Sequence, residues 1–444
     1  MTRFDLMDAS LPRWQTVLAK SLTLTGTACT LLLPLLMFYS RALSDIAATL
    51  IGVFFLIYSG LMRDWQWLRK PWIIPAALFC GLCLISSIHV GLKGAWTQAL
   101  CLPRLFLLTA ATQNWILARQ TRRMALGGVF FLLALWLMSQ CWEQYLTGTN
   151  LMGAPRWGDG SLTGPFVKPR AGFTFLMLFF PGIMPVVLHA LHSKNRGAWV
   201  GGCVLLLFSA LTMVLIGQRM SNVLLLFGLF LTALLVRQFR WPFVALLACV
   251  AAALASLPVI SPPTYAKLVL KFSNQLQHFA TSDYGQLFTK ASIIVLNHPW
   301  LGLGVDGFRN FCQLGMHSAG ISALGLPPLD SPAGTGCNIH PHNYYLQVAT
   351  TAGLLGLAAF VATVVCWLRA GTRHLSPTSA PQQAMLFVMC FTVLWPIAST
   401  SALFSFPTAG WVFLFAGWLM AAAQNAAPLR KNVTVPNDPH VRTK

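Results

Sequence analysis

The chain has 444 residues, of which 56% are hydrophobic and only 9% charged, and its mean hydropathy is +0.65. Apolar runs of membrane-spanning length recur along almost all of it, which excludes a soluble globular core and predicts an all-α polytopic membrane protein. The net charge of +20 is spread over many short links and not gathered into one patch, so it argues against nucleic acid as a partner.

About twelve transmembrane helices are expected, near 21–40, 43–62, 72–90, 97–117, 124–145, 172–191, 198–217, 221–236, 242–259, 343–368, 383–402 and 407–425. The first follows a polar tail and reads as a span that stays, not as a cleaved signal. When the links are assigned to alternate sides, one side carries 19 basic residues, among them Arg63, Arg122, Arg237 and Arg373. The other side carries 10, spread over far longer loops. By the positive-inside rule the first side is cytoplasmic, and both termini lie there. The basic balance then mainly encodes orientation and contact with membrane lipids.

The expected organisation is helices 1–9 over 1–259, an outer loop subdomain over 260–341, helices 10–12 over 342–425 and a polar tail over 426–444. Two outer links are long. The first, 146–170, contains Arg156-Trp157-Gly158-Asp159-Gly160 and Lys168-Pro169-Arg170. The second, 260–341, has two stretches of helical periodicity, 265–280 and 285–296. The spacing of Leu268, Val269, Phe272, Leu276 and Phe279 makes the first amphipathic, suited to a membrane surface or to packing on the outer helix ends. From Met316 to Cys337 the composition is rich in Gly, Pro, Ser and Ala, which suits a movable flap as well as a plain linker. Of the 11 cysteines most fall inside spans; Cys312 and Cys337 lie in the outer loop, where they either pair or remain two free thiols.

The chemistry-bearing residues cluster on the outer side. His340-Pro341-His342-Asn343 runs straight into the tenth span, and Pro341 suits a helix entry because its missing N–H costs nothing there. His342 therefore stands where a membrane helix meets water, with an ordinary pKa near neutrality that suits a general base. A lone interfacial histidine is, however, more often simply hydrogen-bonded structure. Arg219 interrupts two apolar runs with almost no loop, and Arg170, with Lys168 beside it, precedes the sixth span. None of these has an acidic neighbour in sequence. An arginine near the bilayer must face protein, water or an anionic ligand, and its fork suits a phosphate; the alternative for Arg219 is snorkelling to lipid head groups. The outer acids Asp45, Glu143, Asp159, Asp283, Asp306 and Asp330 form no close pair, and no cluster has metal-ligand spacing, so neither a metal nor another cofactor is expected. Arg104 is the one deeply placed charge, either paired within the bundle or lining its interior.

His342-Asn343, nine residues and then Gly353-Leu354-Leu355-Gly356 resemble the signature of the O-antigen ligase and polymerase superfamily of membrane glycosyltransferases. His298-Pro299-Trp300-Leu301-Gly302-Leu303-Gly304 is similar to a segment of that family's outer loop, Arg219 to its arginine between central spans, and Arg170-Ala171-Gly172-Phe173 to an earlier arginine. The resemblance implies a bacterial inner-membrane, multi-pass enzyme whose active site faces the periplasm, making 260–341 a periplasmic loop. It implies transfer of O-antigen glycan from undecaprenyl diphosphate to lipid A–core, completing lipopolysaccharide, by a metal-independent, inverting reaction. His342 would activate the acceptor hydroxyl, and Arg219, Arg170 and Lys168 would hold the diphosphate. Family members often carry a further arginine in the outer-loop helix; here Tyr284-Gly285-Gln286-Leu287-Phe288-Thr289-Lys290 leaves Lys290 for that role. The rivals are an O-antigen polymerase, a lipid-linked oligosaccharide transporter, and a scaffold that binds lipid intermediates without chemistry. Near absence of mid-span charge counts against transport.

Overall fold

The computed structural model describes residues 12–318, 320–321, 337–398 and 402–424. Most of the Gly/Pro-rich 316–337 segment, Asp330 and the tail from 426 lie outside the described residues. In chain order the helices are α1 (Arg13–Tyr39), α2 (Arg41–Leu61), α3 (Ile73–Val90), α4 (Ala95–Cys101), α5 (Pro103–Asn114), α6 (Gln120–Thr147), α7 (Ala171–His192), α8 (Arg196–Ile216), α9 (Arg219–Leu235) and α10 (Arg237–Ile260). They continue with α11 (Lys271–Gln277), α12 (Asp283–Asn297), α13 (Gly307–Phe311), α14 (Tyr344–Gly371), α15 (Pro381–Val393) and α16 (Thr408–Gln424). Among the described residues no strand forms beyond an isolated bridge between Thr149 and Pro155.

Eight of these helices, α1, α2, α3, α6, α7, α8, α10 and α14, are long and apolar enough to cross a membrane. Of the other four expected spans, three coincide with the shorter apolar helices α9, α15 and α16, and the fourth is interrupted. The 97–117 segment is split into α4 and α5, because Pro103 begins a new helix after Leu102. Gly217, left-handed at φ 75°, and the extended Gln218 separate α8 from α9, which begins at Arg219 and has 17 residues. α15 has 13 residues because the chain leaves it at Val393 for a non-helical turn containing Pro396. Such backbone is tolerated within a bundle when protein groups satisfy it: Asn343 donates to the carbonyls of Pro396 (2.6 Å) and Ala398 (3.2 Å).

The centre of the bundle is α16, apolar on every side and buried from Thr408 to Ala423. Gly417 lets it press against Thr109 and Thr112 of α5, and Phe106 meets Phe413 edge-on at 4.9 Å. Small residues at such crossings let backbones approach closely, which is where helices in lipid gain their packing energy. Arg104 lies beside this contact and pairs within the bundle: its guanidinium reaches both oxygens of Asp45 on α2, at 2.9 and 3.0 Å.

Residues 287–312 build a second, small core. Leu287, Ala291 and Ile294 on one face of α12 pack with Leu303, Phe308 and Cys312. Cys312 pairs with Cys337 in a disulfide, with Cα atoms 5.8 Å apart, which ties α13 to the strand of chain leading into His342. The two expected outer-loop helices correspond to the helical run 262–277, which includes a π turn at Ala266–Leu270, and to α12.

Candidate active site

The positioning of His342 begins with a break in the helix it precedes. Within α14, Ala352 and Gly353 leave helical geometry, Gly353 having φ 67° and ψ −168°. The break frees Thr350 and Thr351 carbonyls, which accept from the Leu303 and Gly304 amides at 2.8 and 2.9 Å. The Leu354 amide, which would ordinarily bond Thr350, donates instead to Pro299 at 2.7 Å. A Cβ on Gly353 would collide with the Trp300 carbonyl, and one on Gly302 would stand 2.7 Å from the Thr350 oxygen. Both glycines are left-handed, a conformation open to glycine at little cost. The two sequence motifs, 298–304 and 342–356, are thus halves of one joint.

At the head of α14, Asn343 is the helix cap: its Oδ1 accepts from the Tyr345 and Leu346 amides, both at 3.0 Å, while its Nδ2 holds the 396–398 turn. His342 is left-handed at φ 53°, an uncommon state for a residue with a side chain and one that clusters at functional sites. Its ring meets Tyr284 edge-on at 5.7 Å and lies 4.4 Å from the ring of His340. Asn338 fixes its chemistry. The Asn338 Oδ1 accepts from the Ile339 amide at 2.7 Å, so its Nδ2 is the atom that faces His342 Nε2 at 3.1 Å. An amide donor there assigns the Nε2 lone pair as acceptor, the neutral, basic form of the ring. The neighbouring His340 is half-buried, its two ring nitrogens closed off from solvent with no hydrogen-bond partner among the described residues; burial, reinforced by His342, lowers its pKa to about 4.

His342 and Arg219 face one chamber of about 360 Å³, with Gln275, Asp283, Tyr284 and Asn338 also in its wall. Arg219 stands in the first turn of α9 and donates through Nη1 to Gln275 Oε1. Among the described residues no carboxylate lies within ion-pair distance of it. Arg219, Gln275 and Tyr284 also border a second, larger cavity of about 740 Å³, so the two share a wall. The larger one is a largely apolar groove: Val223 and Phe227 of α9 oppose Phe272 and Leu276 of α11, with Phe288 and Trp395 completing it. Lys267 at its edge is neutralised by Asp159 at 2.5 Å.

The other expected site residues stand further off. Lys168 and Arg170 border neither cavity, though Pro169 between them does. Gln218 stitches their turn to α9, donating to the Pro169 carbonyl at 2.6 Å and accepting from the Phe173 amide at 3.3 Å. Burial, with Arg41 nearby, lowers the pKa of Arg170. Lys290 is buried in the small core one turn from Leu287, with Nζ 3.7 Å from the Sγ of Cys337, and burial lowers its pKa too. Leu287 and Cys337 border the chamber. Gln275, Tyr284, Gln218 and Asn338 were not singled out from the sequence. Only Asn338, one helical turn before His342, sits at a spacing that hints at contact.

Among the described residues no three of His, Cys, Asp and Glu converge as metal ligands. No curated protein matches the chain. Residues 186–361 match the family model described as O-antigen ligase, a stretch that holds Arg219, Lys290 and His342 and the whole joint between loop and helix. The family suggests glycosyltransferase-like activity of the ligase or polymerase type. Over residues 186–361, then, a bundle of apolar helices whose histidine and amide-held arginine face one chamber is similar to the O-antigen ligase family.

Proposed function

We propose that the protein transfers O-antigen glycan from undecaprenyl diphosphate to lipid A–core at the periplasmic face of the bacterial inner membrane. The observation that carries this reading is the shared wall between the chamber of Arg219 and His342 and the apolar groove. A polyprenyl chain suits a groove bordered by Val223, Phe227, Phe272 and Leu276, and its diphosphate then arrives beside Arg219.

The step follows from the two side chains. His342 Nε2 takes the proton of the acceptor hydroxyl as that oxygen bonds to the donor's anomeric carbon. The bond from that carbon to the diphosphate oxygen breaks on the opposite face, the electron pair leaves with undecaprenyl diphosphate, and the configuration inverts. Charge grows on the departing diphosphate, where a guanidinium held by a neutral amide has its whole charge to give. Lys290 and the turn bearing Lys168 and Arg170 add positive potential around the same leaving group. On this reading cations do the work a divalent metal does in other phosphate sites, and the reaction proceeds in EDTA.

The test is transfer by purified protein in nanodiscs with EDTA, given undecaprenyl-diphosphate glycan and either lipid A–core or further donor. Glycan should appear on lipid A–core, and His342→Ala should lower the rate about 10²–10⁴-fold, the usual worth of a positioned base. Elongated donor would make the protein a polymerase. Folded protein that moves donor across a bilayer without transferring it would make it a transporter.

A further inference from the structure

Adjoining the chamber lies a further cavity, of about 400 Å³, bordered by Arg309, Asn310, Gln313, Cys337, Asn338 and Ile339. Cys337 and Asn338 belong to both, so this polar cup and the chamber of His342 share a wall. We propose that the cup of Arg309, Asn310, Gln313 and Asn338 is a subsite for an anionic saccharide unit, bearing phosphate or carboxylate, of the acceptor glycan.

Three observations carry it. The first is direction. Inversion requires the attacking hydroxyl to enter opposite the leaving diphosphate, which lies on the Arg219 side. His342 Nε2 is turned to Asn338, and Asn338 is the residue the chamber shares with the cup. The acceptor thus reaches the base from the cup. The second is chemistry. The wall holds one guanidinium and three carboxamides, which match an anionic group and sugar hydroxyls respectively. No carboxylate lies within ion-pair distance of Arg309 among the described residues. The third is rigidity. Arg309 and Asn310 sit on α13, which is fixed to the His342 strand by the Cys312–Cys337 disulfide. Asn310 donates to the Asp306 carbonyl at 2.9 Å, and the Asp306 carboxylate accepts from Gln98 at 2.7 Å. A ligand held here keeps a fixed distance to the base.

The proposal rests on the transfer reading, and two measurements separate their fates. The probes are a core oligosaccharide carrying phosphate monoesters and the same compound after phosphatase treatment. Binding to wild-type protein in nanodiscs without donor, compared with Arg309→Gln and Gln313→Ala, asks about the cup alone. Arg309→Gln should weaken the phosphorylated probe about 10–100-fold, the range for one charge-assisted hydrogen bond, and leave the dephosphorylated probe as it was. In transfer assays the same variant should raise the acceptor KM and not the donor KM. Equal loss for both probes, no loss for either, or a rise in donor KM would overturn the cup while leaving the transfer reading intact. Selective loss of the phosphorylated probe in a protein that transfers nothing would retain the cup and sink the transfer reading. Gln313→Ala guards against a fold defect: it should weaken both probes severalfold at unchanged thermal midpoint, and no change in either would count against the subsite.

Discussion

Two arginines stand beside cavities of this bundle, and their surroundings differ in one respect. Arg104 borders a cavity of about 630 Å³ and is clasped by both oxygens of Asp45. Arg219 borders the chamber of His342 and, among the described residues, is held by the neutral amide of Gln275 with no carboxylate in ion-pair distance. A guanidinium with a bidentate carboxylate has its charge answered and its fork filled, so it serves the fold. One held by an amide is oriented but not neutralised, and its remaining donors await an anion. The same residue type thus marks structure in one place and chemistry in the other, and the partner decides which.

The largest effect that would break this contrast is on turnover. Arg219→Ala should lower transfer about 10²–10³-fold, the usual loss when one donor to a developing anion is removed, whereas Arg104→Ala should stay within about twofold at the same protein concentration. Equal losses would abolish the distinction. Next comes a pH dependence beside the chamber, where the ring nitrogens of His340, which lies against His342, are shut off from solvent without a hydrogen-bond partner among the described residues. Its pKa is about 4 in the fold against 6.5 as a free side chain. Between those values the unfolded chain binds the extra proton. This contribution to stability is therefore present above pH 6.5 and is lost as pH falls toward 4, by up to about 3 kcal/mol. Thermal midpoints of wild type and His340→Asn, taken at pH 7 and 4.5, should show the variant losing less on acidification. The smallest effect sharpens the comparison by converting one arginine into the other. Gln275→Glu gives Arg219 a carboxylate of its own, and should raise the donor KM about tenfold with little loss of thermal stability. An unchanged KM would mean that Arg219 does not meet the diphosphate.

Much of the fold is legible in the sequence because hydropathy reports the medium around a helix. The 97–117 and 383–402 spans were drawn too long for the same reason: apolar composition continues through the Leu102–Pro103 break and past Val393, where backbone geometry and not hydropathy ends the helix. Topology put Arg219 and His342 on the same side and the family resemblance gave them one site, but nothing periodic relates the two across the 123 positions that separate them. Gln275 and Tyr284 carry no local signal at all; they matter because the helical run 262–277 and α12 fold back over α9. The cysteine pair was open from sequence, and proximity in space is what joins it.

The exchange of backbone bonds between 299–304 and 350–354 has an evolutionary consequence. Each side supplies the partner that the other side's broken geometry requires, so neither segment can be inherited alone. In chimeras between relatives, the loop segment 298–304 and the helix segment 350–356 should travel as one cassette. A recombinant that splits them should accumulate poorly in the membrane, whichever parent contributes the histidine.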